Sequence, residues 1–237
     1  MAPDKKEKNI SRWQIIRSRL FEPTSTIFLI VIAFYLIQAI ISPFSGISPP
    51  LTDFITVMVL ISIAFFLHLL FGFKRTVPIF LAIGFFIHII GLYKIIPYNA
   101  NYIGELYGAP QLAYHYDWFV HSFGTGCLAV ALSSMLYPYL KKAFSSKYLM
   151  FAILLLCVLG LGSLNEITEY IGFTIFGYGE GFMEFGAGDS SPFEGPWQNS
   201  CMDMTNNLMG GILFIGVFML DKRYGLFGKK EVNHILS

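Results

Sequence analysis

Charged residues are scarce in this chain. Asp, Glu, Lys and Arg make up 13% of its 237 residues and hydrophobic residues make up 55%, whereas a soluble domain carries about 25% charged residues. The formal net charge is only +1, and the basic residues form no patch of the kind that binds nucleic acid. The composition excludes an ordinary soluble domain and predicts an all-α, polytopic membrane protein without a nucleic-acid partner.

Cysteines are also few. Cys127, Cys157 and Cys201 form no CxxC pair and lack the spacing of a zinc finger, so neither a disulfide framework nor a structural zinc site is predicted. The first 24 residues lack the apolar core and the small-residue cleavage site of a signal peptide. We therefore expect the first membrane span to act as an uncleaved anchor.

Six long apolar runs supply most of the hydrophobic residues. Each is close to the roughly 20 residues that a helix needs to cross the hydrocarbon core. The runs are residues 25–41, 54–73, 77–93, 117–140, 148–176 and 200–220. We predict a bundle of six transmembrane helices as one domain, residues 25–220. A basic tail, residues 1–24, precedes it, and a second tail, residues 221–237, follows it.

The basic residues lie on one side of the predicted bundle. Of the 16 Lys and Arg, all but Lys94 fall in the two tails and in the loops after the second and fourth runs. Cytoplasmic loops of multi-pass proteins carry such an excess of Lys and Arg. We predict that both termini are cytoplasmic, that the protein lies in the inner or plasma membrane, and that odd-numbered spans run outward.

Ionisable and amide side chains occur near the outer ends of three runs. Asp117 and His121 are four residues apart, and Glu166 and Glu169 are three apart, so each pair shares a helix face. The candidate site residues are Asp117, His121, Asn165, Glu166, Glu169, Asp203, Asn206 and Asn207. A carboxylate at bilayer depth costs about 2.5 kcal/mol or more. Several at one depth therefore predict an outward-facing polar pocket.

Carboxylate and imidazole groups are ligands for a divalent cation. Mostly oxygen donors favour Mg²⁺ or Mn²⁺, and a histidine also admits Zn²⁺ or Fe²⁺. The predicted metal ligands, which are also the candidate catalytic groups, are Asp117, His121, Glu166, Glu169 and Asp203. The predicted substrate-binding residues are Asn165, Asn206 and Asn207. A cation could orient the phosphate of a lipid substrate or activate water, and without one the crowded acids would suit proton relay.

Structural explanations for these residues stay open at this point. Asp117 and Asp203 could each cap the start of a helix by accepting from backbone N–H groups. Acids at the carboxyl end of a helix oppose its dipole, so Glu166 and Glu169 are not caps. They could instead hydrogen-bond to a neighbouring helix and hold the bundle together.

Two further histidines lie in the apolar runs. His88 is near the outer end of the third run and could join the pocket or serve in packing. His68 is near the cytoplasmic end of the second run, far from the other polar residues. We expect His68 to be a packing or interfacial histidine.

Three motifs resemble those of a known family. They are YDWFVHSFGTG (116–126), NEITEY (165–170) and WQNSCMDMTNNLMGG (197–211), and their order and spacing are similar to those of YjdF-type inner-membrane proteins, relatives of the VanZ-like family. The matching positions are Asp117, His121, Gly124, Glu166, Glu169, Asp203, Asn207 and Gly210. Members tend to have a second Asp four residues before the Asp of the last helix, where this chain has Asn199. This departure removes one ligand from a metal site.

The resemblance covers about residues 54–220 and implies a setting in the cell envelope, since VanZ-like proteins are associated with teicoplanin resistance. It implies no established reaction. Our leading hypothesis is a bacterial or archaeal envelope protein whose pocket binds a divalent cation and a lipid-linked or cell-wall polar group, with hydrolase- or transferase-like action. The alternatives are a proton- or cation-coupled transporter and a non-catalytic scaffold or assembly factor.

Overall fold

The computed structural model describes residues 11–44, 51–96, 115–176 and 196–225. These residues form helices joined by short turns, without any strand in the ranges given. The helices are α1 (Arg12–Leu20), α2 (Pro23–Ile41), α3 (Leu51–Phe71), α4 (Thr76–Leu92), α5 (Tyr116–Ala143), α6 (Lys147–Phe176) and α7 (Pro196–Tyr224), with a 3₁₀ turn at Ser42–Phe44. Residues 1–10 of the first predicted tail and residues 226–237 of the second lie outside the described residues.

Each of the six apolar runs corresponds to one helix, α2 to α7. Five of these helices are long and apolar enough to cross a membrane, and the apolar helix α4 is shorter, with 17 residues. A length of 17 residues is at the lower end of the range of about 17–25 that spans a bilayer. The prediction of an all-α, polytopic membrane protein is confirmed.

The helix ends differ from the apolar runs where polar residues continue a helix. α7 begins at Pro196, although its apolar run begins at residue 200. Proline at the first position favours a helix start, because its fixed φ suits the helix and its missing N–H is not needed there. The polar residues that follow are therefore already helical, and this changes where Asp203 lies along α7.

The first helix joins the bundle at the end that carries basic residues. Ser11 and Gln14 form a capping box, with Gln14 N–H donating to Ser11 Oγ and Ser11 N–H donating to Gln14 Oε1. Arg19 Nη1 donates to the carbonyl oxygen of Leu69 over 3.0 Å. The basic helix α1 and the end of α3, which leads to Lys74, therefore lie together, as the charge pattern predicts.

His68 is a buried packing residue near the same end. Its side chain is fully buried, its Nδ1 accepts from the backbone N–H of Phe73 over 2.9 Å, and its ring lies 5.7 Å from that of Phe28. The acceptor satisfies a backbone donor just after α3 ends. This geometry agrees with the expected structural role.

Helix α5 is central to the half of the bundle that carries the polar residues, because it packs against α4, α6 and α7. The contact with α7 is the closest. A Cβ built at Gly210 of α7 would overlap the carbonyl oxygen of Ser122, and one at Gly126 of α5 would lie 2.5 Å from the Phe214 ring. Glycine lets the two backbones approach, which brings the polar faces of α5 and α7 together.

Candidate functional site

The imidazole of His121 lies among carboxylates from three helices. Its Nε2 is 3.5 Å from Asp117 Oδ1 of α5 and 3.8 Å from Asp203 Oδ1 of α7. Its Nδ1 is 3.8 Å from Glu166 Oε1 of α6. The two ring nitrogens thus face acids on different sides, and His121 is the centre of the cluster.

Asp117 is the second residue of α5, one turn before His121. The residue that caps the helix is His115, whose side chain makes no capping hydrogen bond. The alternative in which Asp117 is the helix cap is therefore wrong. Its carboxylate is 4% exposed and faces the imidazole, in the first turn, where the helix dipole favours negative charge.

Asp203 lies two turns inside α7, because that helix begins at Pro196. A residue so far from the helix start cannot cap it, so the capping alternative for Asp203 is wrong as well. Its side chain has no solvent exposure. Burying an ion costs several kcal/mol unless other groups compensate for the lost water. The imidazole of His121, 3.8 Å away, compensates in part for the burial of the Asp203 carboxylate.

The two acids of α6 have different neighbours. Glu166 is 11% exposed and faces His121, as described above. Glu169 is buried, and its Oε1 accepts from Asn165 Nδ2 over 2.5 Å within the same helix. Of the predicted substrate-binding residues, Asn165 therefore lies at the cluster and orients one of its carboxylates.

Asn206 and Asn207 of α7 have different hydrogen-bond partners. Asn207 Oδ1 accepts from Thr125 Oγ1 of α5 over 2.5 Å, which joins the two helices one turn below His121. Asn206 Nδ2 donates to the carbonyl oxygen of Met202 over 2.8 Å, within its own helix. The structure thus brings Asn207 to the site and keeps the amide of Asn206 occupied elsewhere.

Sequence reasoning did not single out Thr125. A threonine inside a helix commonly bonds to a backbone carbonyl of its own preceding turn, as Thr205 does with Cys201. Its position four residues after His121 was the feature that could have identified it, because this spacing places both residues on one helix face.

The cluster borders a cavity of about 450 Å³. Among the predicted site residues, the cavity is lined by Asp117, His121, Asn165, Glu169 and Asn207. Its volume lies within the range of about 300–1,000 Å³ found for ligand pockets. A partly open cavity of the size of a ligand pocket therefore lies beside His121.

His88 also lines this cavity, from α4, and its side chain is buried. The structure therefore places His88 with the pocket residues, which is the first of the two roles considered for it. Glu166 and Asp203 do not line the cavity in the described part of the chain.

Two overlapping groups have the composition of a cation site. In the first group, Asp117, His121 and Asp203 each offer a ligand atom within 4.8 Å of the others. The second group, His121, Glu166 and Glu169, meets the same limit. Calcium and magnesium lie about 2.0–2.6 Å from oxygen ligands, so two ligands of one ion are at most about twice that distance apart. The donor set and its spacing fit a divalent cation.

Comparison with known families gives one match. The family described as "Predicted membrane protein (DUF2238)" matches residues 24–223, which include all of α3 to α6 and nearly all of α2 and α7. No curated protein and no solved structure matches the chain.

Proposed function

The chain belongs to the DUF2238 family of predicted membrane proteins, and from this premise we propose that it binds a divalent cation in an outward-facing pocket of the cell membrane. The proposed partner of the cation is the polar group of a lipid-linked or cell-wall molecule. The setting is the inner or plasma membrane of a bacterium or archaeon. The resemblance of the motifs to YjdF-type proteins agrees with this family, and the relation to VanZ-like proteins stays a prediction.

The observation that carries this proposal is the position of one imidazole among acids of three helices. His121 lies 3.5–3.8 Å from Asp117, Glu166 and Asp203. Acids that only hold neighbouring helices together need one hydrogen-bond partner each, whereas a site for a cation needs several donors around a common point. A cation would also offset the repulsion among carboxylates that lie so close together.

Each residue has a defined part in the proposed site. A neutral imidazole offers a lone pair on only one nitrogen, so the cation would be held either by Asp117, Asp203 and His121 Nε2 or by Glu166, Glu169 and His121 Nδ1. Asn165 orients Glu169 through its hydrogen bond. Asn207 is fixed by Thr125 and lines the cavity.

The chemistry of such a site is that of a Lewis acid. A divalent cation polarises a phosphoryl oxygen or lowers the pKa of a bound water so that hydroxide forms near neutral pH. A carboxylate of the cluster that does not ligate the cation would accept or return the proton. This is the chemistry of a hydrolase or transferase, which is the enzymatic form of the proposal.

The lining of the cavity favours this function over transport. Away from the cluster, the cavity is lined by apolar residues, such as Leu60, Leu128, Leu132 and Met135. An ion or proton relay needs polar groups or water along its path through the membrane. A pocket that is polar at one end and apolar at the other suits binding of an amphiphile.

The test is the metal content of the protein purified without chelator. We expect a stoichiometric divalent cation in the wild type and its loss in Asp117→Asn, which removes the charge and keeps the size of the side chain. The control is Asp221→Asn, at the far end of α7, where the carboxylate lies 3.4 Å from Lys222 Nζ. Absence of a cation from the wild type would reject the proposal.

The orientation is tested with a chelator that does not cross membranes. In right-side-out vesicles the chelator should remove the cation, and in inverted vesicles of the same preparation the cation should remain. The reverse result would place the site on the cytoplasmic side and reject the predicted topology.

A further inference from the structure

The cavity beside His121 extends far beyond the polar cluster. Along α5 its lining residues run from Asp117 to Met135, which is about 27 Å at the rise of an α-helix. The hydrocarbon core of a membrane is about 30 Å thick. The cavity therefore follows α5 through most of the depth of the bilayer.

The lining of this long cavity changes from polar to apolar along its length. The polar end has Asp117, His121 and Glu169, together with His88. The remainder is lined by apolar side chains such as Leu128 of α5, Leu60 and Leu67 of α3, Phe80 and Leu81 of α4, and Leu161 of α6. This division matches an amphiphile, with a charged head and a hydrocarbon chain.

The cavity also has a side that faces the lipid. Residues of α3 and α6 line it, and within the described residues these two helices make at most a slight contact with each other. Ile63 of α3 and Leu164 of α6 line the cavity and are 52% and 56% exposed. In a membrane-spanning protein such exposed apolar side chains contact lipid, so a hydrocarbon chain can enter between α3 and α6.

The ligands of the proposed cation indicate the chemical class of the amphiphile's head group. Mg²⁺ is commonly bound by one or two carboxylates together with phosphate oxygens of a substrate. The candidate groups at His121 supply three protein ligands each, which leaves positions of a six-coordinate ion for other oxygens. A phosphate at the end of a hydrocarbon chain would fill these positions.

We propose that the cavity binds the hydrocarbon chain of a single-chain lipid phosphate, with the phosphate on the cation at His121 and the chain along α5. The volume of about 450 Å³, drawn out over such a length, suits one chain. The inference rests on the proposed function, because the cation supplies the attraction for the phosphate. It adds the class of substrate and a route of entry from the membrane.

Gly124 allows a direct test, because it lines the cavity one turn from His121. A Cβ at Gly124 would meet no atom within 4 Å, so Gly124→Phe should place its ring in the cavity without displacing a neighbour. Gly160→Phe is the matched control. A Cβ there also meets nothing within 4 Å, but Gly160 is exposed on α6 and does not line the cavity.

The measurement is native mass spectrometry of the detergent-purified protein, titrated with hexadecyl phosphate in the presence of Mg²⁺. Inorganic phosphate serves as the head without a chain. Each methylene group of the hexadecyl chain that is no longer buried should weaken binding about fourfold. We therefore expect affinity for hexadecyl phosphate to fall about tenfold or more in Gly124→Phe. Gly160→Phe should bind like the wild type, and inorganic phosphate should bind more weakly than hexadecyl phosphate.

Gly124→Leu provides a second variant with a smaller side chain, and metal content is measured for every variant. If Gly124→Phe and Gly124→Leu retained the cation and bound hexadecyl phosphate with wild-type affinity, the proposal that the cavity binds the chain would be rejected. The proposed cation site would be unaffected. Equal binding of inorganic phosphate and hexadecyl phosphate by the wild type would also reject the proposal that the cavity binds the chain. Absence of the cation from the wild type would instead reject the proposed function.

Discussion

His121 Nδ1 of α5 lies 3.8 Å from Glu166 Oε1 of α6, and this pair joins two helices that the short loop of residues 144–146 connects. The other ring nitrogen faces two aspartates. An imidazole held on both sides by acids has a fixed ring plane, because rotation would break both sets of contacts. We therefore regard His121 as the residue that organises the site.

The hydrogen bond between Thr125 and Asn207 should stabilise the contact of α5 with α7. Thr125→Val keeps the shape of the side chain and leaves the buried Asn207 oxygen without this donor, which costs about 1–3 kcal/mol. We expect a lower thermal unfolding temperature in detergent. Thr205→Val is the control, since its hydroxyl bonds within its own helix at an exposed position, and its unfolding temperature should stay near that of the wild type.

The close approach at Gly210 should be intolerant of even one added carbon. Gly210→Ala would push a Cβ against the backbone oxygen of Ser122, and a backbone atom cannot move aside as a flexible side chain can. Overpacking of this kind costs about 1–3 kcal/mol or more, and separation of α5 from α7 should also weaken cation binding.

Gly216→Ala, on the same helix, is the matched control for this substitution. A Cβ at Gly216 meets nothing within 4 Å, and alanine favours a helix over glycine by about 0.5–1 kcal/mol. Its unfolding temperature should equal or exceed that of the wild type. Equal tolerance of Gly210→Ala and Gly216→Ala would contradict the helix contact described for α5 and α7.

His68 should contribute to stability without any part in cation binding. His68→Phe keeps a ring against Phe28 and removes the acceptor for the Phe73 N–H, so we expect a loss of about 1–3 kcal/mol. Metal content should not change. If this variant instead abolished proton or cation flux in proteoliposomes, in which the wild type showed flux, the transporter alternative would replace the proposed function.

Much of the fold was predictable because membrane insertion imposes strong local constraints. Every backbone polar group in lipid must bond within its own segment, so a run such as residues 148–176 has to be a helix. The ends of helices were less predictable. Pro196 begins α7 within a polar segment, and hydropathy does not reveal that the helix extends there.

The grouping of the site residues was predictable in part. The depth of Asp117, Glu166 and Asp203 follows from their positions along their runs, and the structure brings all three to His121. The direction of each side chain depends on helix rotation, which the sequence does not specify. This is why Asn206 bonds within α7 while its neighbour Asn207 reaches Thr125.

The apolar part of the cavity gave no signal in the sequence. Leu60 and Leu128 look like any other lipid-facing or packing residues, and only the packing of α4 and α5 and the gap between α3 and α6 make them neighbours of the same space. A cavity is defined by where helices do not touch, and hydrophobic periodicity does not report this.

The roles of the site residues rest on the presence of a cation at His121. The most direct measurement is electron spin-echo envelope modulation of Mn²⁺ added to the protein, with the histidine nitrogens isotopically labelled. We predict coupling between Mn²⁺ and a histidine nitrogen in the wild type and in His68→Phe, and its loss in His121→Gln. Mn²⁺ that binds without histidine coupling, or coupling that survives His121→Gln, would contradict the account.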